Sequence, residues 1–85
     1  MNVDLNLLKE SISEYCEEIY AMSINYMKNN NIDFHLTGND LLTIKLRNLE
    51  ILKDKVISSD NYDIVFNYKK EIEDLAKEIR GIIWN

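Results

Sequence analysis

Between Leu5 and Tyr26 the apolar side chains recur at alternating steps of three and four: Leu5, Leu8, Ile12, Tyr15, Ile19, Met22, Tyr26. At 3.6 residues per turn this places all seven on one stripe of a helix, and a stripe that long is buried only by a second helix laid along it. The far end of the chain carries its own seam, Val65, Tyr68, Ile72, Leu75, Ile79 and Ile82. Proline is absent and glycine stands only at Gly38 and Gly81, so little interrupts helix and a turn-rich β fold is disfavoured. The expected fold is all-α: an up-down-up three-helix bundle with an extended segment between helices 1 and 2, forming a single domain over residues 1–85. Helices 1 and 3 are expected to meet along the two seams, with helix 2 completing the core.

The first helix is expected to start after Asn2 or Asp4 and to run to Asn29-Asn30-Asn31, since asparagine tolerates the left-handed turn that ends helices. In its second half Tyr20, Ala21, Met22, Ile24, Tyr26 and Met27 wrap most of the circumference, which calls for cover on more than one side. Residues 30–38 alternate Ile32, Phe34 and Leu36 with Asp33, His35 and Thr37. This reads as an extended connection folded back over Tyr20–Met27; pairing with an external strand edge is the rival reading. The second helix is expected to begin near Asn39 or Asp40, with Thr37 and Asp40 in capping-box spacing, and to end near Ser58-Ser59. Its main stripe is Leu42, Leu46, Leu49, Leu52 and Val56, while Ile44 and Ile51 lie on nearly the opposite face. Asp60 is the expected cap of a third helix running from about Asn61 to Ile83, with Asp63 in its first turn and a Glu73–Lys77 pair on its solvated face. Trp84 is placed to close the end of the bundle.

A formal net charge of −5 argues against a nucleic-acid binder, and the third helix carries too many acids among Lys69, Lys70, Lys77 and Arg80 for a recognition helix. No basic segment followed by an apolar run opens the sequence, and no apolar run is long enough for a bilayer span. The expectation is a cytoplasmic protein without membrane contact. Abundant Ile, Asn and Lys beside only two arginines, Arg47 and Arg80, fit an AT-rich genome such as that of a low-GC bacterium or its phage.

No catalytic signature emerges. His35 is the only histidine and Cys16 the only cysteine, one in the connection and one mid-helix, so no Cys-His pairing follows and no disulfide is available. Asp33, His35 and Asp40 lack a helical motif to complete a metal site, and Asp60-Asn61-Tyr62-Asp63 lacks the glycine and distal glutamate of a calcium loop. A glycine-rich phosphate loop is missing too, and two arginines are too few for a helical enzyme of the chorismate mutase type holding a dianionic substrate. The chain is therefore expected to be non-enzymatic, with no cofactor and no metal.

The one surface feature above background is acidic. Glu10, Glu14, Glu17 and Glu18 crowd one side of the first helix with no base among them, although Glu10/Glu14 and Glu14/Glu18 are like charges at i,i+4. A solvated face on an acidic protein is the plain explanation. The functional one is a docking surface for a basic protein partner, with Tyr20 beside it as an aromatic anchor. Small acidic helical proteins that block a target include phage-encoded inhibitors of host defence and bacteriocin immunity proteins. The analogy is one of size and charge, since the Tyr-Tyr-Pro signature of colicin-type immunity proteins is absent. The alternative is an assembly subunit acting through helical oligomerisation. On either reading the excess apolar surface predicts a homodimer, with Ile24, Ile44 and Ile51 at the contact.

Overall fold

The structure is a computed structural model that describes residues 3–32 and 40–84. Among the described residues three helices make the fold: α1 (Val3–Asn29), α2 (Leu41–Ser58) and α3 (Tyr62–Ile83), each in contact with the other two. Lys9 of α1 reaches Ile57 of α2, Lys53 of α2 reaches Glu17 of α1, and Lys45 of α2 reaches Glu78 of α3. Those cross-links run α2 against both neighbours and leave α1 and α3 parallel, the expected up-down-up order. The bundle measures 47 × 22 × 16 Å, long in the direction set by the 27 residues of α1. The expected extended connection lies, from residue 33 onward, outside the described residues.

Both seams face inward. Leu5, Ile12 and Ile19 of α1 and Val65, Ile72, Leu75 and Ile79 of α3 are buried, while Leu8, Tyr15, Met22, Tyr26, Tyr68 and Ile82 pack half-buried at the edge of the same core. From α2 come Leu42, Leu46, Leu49 and Val56, fully covered, with Leu52 beside them. The α1 stripe is wider than one seam. Cys16, Ser23 and Met27 are also buried, because a helix seated between two neighbours must present a flank to each. Ser23 sits there at no hydrogen-bonding cost: its hydroxyl donates to the Ile19 carbonyl oxygen at 2.8 Å, one turn back. Ile24 packs half-buried against this core, whereas Ala21 is exposed.

The ends follow local chemistry. Asn31 adopts φ 58°, and the Ile32 amide donates to the Met27 carbonyl at 2.8 Å while the Asn31 amide donates to that of Lys28 at 3.3 Å. This left-handed stop is the one the asparagine cluster predicts. Asp40 caps α2: its carboxylate accepts from the Thr43 amide at 2.9 Å and from the Thr43 hydroxyl at 2.6 Å. The other half of the expected capping box, Thr37, lies outside the described residues.

Three expectations are corrected. The cap of α3 is Asn61 and not Asp60, since the Asn61 side chain accepts from the Ile64 amide at 3.1 Å and Asp60 stands one position too early to reach the first turn. Glu73 pairs back to Lys69 at 3.4 Å and makes no ion pair with Lys77. Trp84 is 69% exposed and closes nothing, because it falls about 100° around the helix from the core position Val65.

Candidate functional site

The surface to test is the outer face of α1. At 100° per residue, Glu17, Glu10, Glu14 and Glu18 fall within about 100° of one another, centred roughly opposite buried Ser23. All four are exposed. Glu17 has Lys53 of α2 at 4.0 Å, the outer limit of an ion pair, while Glu10, Glu14 and Glu18 make none among the described residues. The reason is positional: α2 and α3 supply cations to the two flanks of α1, and none reaches its back. Leu7, 59% exposed, and Ala21 lie in the same sector, so the face is a carboxylate row with small apolar ground at either end.

Tyr20 stands apart from that row. It packs half-buried against the core in the groove between α1 and α2, beside Cys16, Glu50 and Lys53. Burial and the nearby Glu50 carboxylate raise its phenol pKa. It therefore borders the acidic face and is not its centre. Cys16 forms the floor of the groove. Burial pushes its thiol up to about 11, and the favourable field of Lys53 does not offset this, so it stays a neutral thiol at physiological pH.

Two grooves flank α1, that over Cys16 at about 170 Å³ and one between α1 and α3 at about 180 Å³, lined by Ser11, Tyr15, Lys69 and Glu73. Both are smaller than the roughly 300–1,000 Å³ of small-molecule sites. Among the described residues no group of three or more His, Cys, Asp or Glu side chains could hold a metal ion, and no helix is long and apolar enough to cross a membrane. Of the rejected metal candidates, Asp33 and His35 lie outside the described residues, and Asp40 is occupied in capping α2.

The three residues expected at an oligomer contact do not share one surface. Ile44 and Ile51 lie on the outer side of α2, half-buried and 48% exposed respectively, whereas Ile24 packs on the core side. The pattern of the sequence understates a second exposed cluster, at the start of α3. There Tyr62 stacks on Phe66 with centroids 6.4 Å apart, and the Lys69 and Lys70 ammoniums lie 5.6 and 5.2 Å from the Phe66 ring centre. Their i,i+4 spacing is the signal that could have found the aromatic pair. No protein-family model, no curated protein and no solved structure matches this chain.

Proposed function

We propose that this chain is a small acidic, non-enzymatic protein-binding module that acts by occupying a basic surface on its target, in the manner of phage- or bacterium-encoded inhibitors. The observation that carries the reading is the back of α1, where Glu10, Glu14 and Glu18 stand exposed, in a row and without an ion pair among the described residues. Uncompensated like charges on a helix cost a few tenths of a kcal/mol per pair, and a partner's cations would remove that cost on docking. The face is the convex outer side of one helix, which suits surface occupation better than enclosure of a ligand. Glu17 and Tyr20 border it and extend the footprint toward α2.

The test is capture from a native lysate with mass spectrometry, followed by titration of the captured protein. Glu10, Glu14 and Glu18 are changed together to Lys; Glu17 is kept because Lys53 lies beside it. Affinity should fall at least tenfold in the variant, and steeply with salt in the wild type, while helicity is unchanged. Binding that ignores both the charge reversal and the salt rules the reading out. The assembly-subunit alternative draws support from a different place, the exposed aliphatic side chains on α2.

A further inference from the structure

The charges of α3 sort by side. Going round the helix from Val65, Lys69, Arg80, Lys77 and Lys70 fall between about 40° and 140°, whereas Asp63, Asp74, Glu78 and Glu71 fall between about 160° and 240°. The basic side is turned to α1, since Arg80 bonds Tyr15 and Lys69 lines the α1–α3 groove. The acidic side is turned to α2, where Glu78 meets Lys45. One acid, Glu73, stands among the bases and is held by Lys69. Tyr62, Phe66 and Trp84 lie in the basic sector, all exposed. α1 does the reverse. From its back round to its α3 side it carries Asp4, Glu14 and Glu18, exposed Leu7, and no base. None of these three carboxylates, and neither Lys70 nor Lys77, makes an ion pair among the described residues. We propose that this α1–α3 face pairs with the same face of a second copy of the chain about a twofold axis parallel to the helices, the acidic α1 of each copy lying on the basic α3 of the other.

Charge and level select that occupant and direction. Ser11 and Ile12 share the α1–α3 groove with Lys69 and Ile72, so residues about 60 apart in number stand level on these parallel helices. A twofold axis along the helices keeps every residue at its level. It therefore brings Glu18 of one copy to Lys77 of the other, sets Glu14 between Lys70 and Lys77, and lays Leu7 on Phe66. Trp84 falls near the level of Met22. An axis across the helices instead lays α1 on α1 and α3 on α3, so that each charge meets its own sign. The complement of the basic, aromatic side of α3 is thus on the same chain, in carboxylates that have no partner and an apolar residue at the matching height. Glu10 and Glu17 stay outside this contact, so a basic target and a second copy compete for only part of α1, and neither proposal needs the other.

The contact runs about 22 Å along each helix pair, from Leu7 to Met22, and occurs twice, in the class of small, concentration-dependent interfaces. Sedimentation equilibrium of the pure protein at low salt, from micromolar to millimolar, should therefore move from 10.1 kDa toward twice that mass, and less so in high salt. Lys77→Glu should weaken association roughly tenfold or more at unchanged helicity, because Lys77 is exposed and the change acts twice by symmetry. Adding Glu18→Lys to it returns the net charge to that of the wild type and should restore the dimer. Ile51→Lys, on the outer side of α2, should leave the dimer intact. Target capture should survive in the Lys77→Glu variant, which keeps every α1 carboxylate, so failure of the docking face and failure of the dimer show separately. A wild type monomeric at millimolar concentration overturns the proposal. So does a dimer that Lys77→Glu leaves unweakened, one that the added Glu18→Lys fails to restore, or one lost in Ile51→Lys.

Discussion

Arg80 of α3 donates a 2.9 Å hydrogen bond from Nη2 to the Tyr15 hydroxyl of α1, and its guanidinium carbon lies 5.4 Å from the centre of the same ring. Two residues 65 apart in sequence are thus joined at both the polar tip and the aromatic face. The contact seals the edge of the α1–α3 seam, where Tyr15 would otherwise expose its ring. Tyr15→Phe should remove the hydrogen bond while keeping the ring contact, costing about 0.5–1.5 kcal/mol in urea unfolding. Arg80→Lys should lose the planar fork as well and cost no less than Tyr15→Phe.

Asp40 holds the start of α2 through two hydrogen bonds to Thr43, which lower its pKa from the usual 3.8. A carboxylate with a depressed folded pKa contributes stability above its unfolded value, and that contribution is lost as pH falls through the folded one. Asp40→Ala should cost about 1 kcal/mol at pH 7, and the gap between wild type and variant should narrow as pH falls below 3.8. Thermal melts at pH 7 and pH 3 measure both.

Cys16 acts at the other end of the pH scale. Its thiol is raised from 9.0 to about 11, so between those values the unfolded chain ionises while the folded one does not. The unfolded state then binds fewer protons, and stability must fall as pH rises through that window, by at most about 2–3 kcal/mol. Cys16→Val should flatten the slope there. A thiol reagent at pH 8 should label the wild type only as fast as it unfolds, and rapid labelling of the folded protein would contradict this burial.

Glu14 has like-charged neighbours one turn away on both sides, Glu10 and Glu18. Glu14→Gln should stabilise the protein by about 0.5 kcal/mol at low ionic strength, less in high salt. A gain in stability with a loss of partner affinity is the signature of a surface kept for binding.

The core is thin, so single truncations should be costly. Ile19 and Ile72 are both essentially without solvent contact, and each change to Ala should cost about 2–5 kcal/mol. Ile51→Ala, at a half-exposed site on the outer side of α2, should stay within about 0.5 kcal/mol for the monomer. Denaturant midpoints for the three variants provide the comparison.

The legible part of this protein was its periodicity. Ile12, Ile19, Ile72 and Ile79 announce their burial because a 3.6-residue helix leaves such a spacing no other face; Asn31 announces a helix end because few side chains tolerate its left-handed backbone, and Asp40 announces another because its carboxylate can accept from the first-turn amide. The acidic row on α1 was equally visible, since position on a single helix needs no tertiary information. Two other features could not be read from spacing. Asn61 and not Asp60 caps α3 because the cap is set by which oxygen reaches the Ile64 amide, a matter of about one residue's rotation. Ser23 is buried because α1 lies between two neighbours and must fill both flanks, which the hydrophobic pattern of one helix does not reveal for a polar residue. Sequence alone determined that three helices form and which stripes they hide, because hydrophobic spacing acts within a single rod. Tertiary packing alone decided that Arg80 finds Tyr15 and that no cation of α2 or α3 reaches Glu10, Glu14 or Glu18, because each depends on where a neighbouring rod comes to rest.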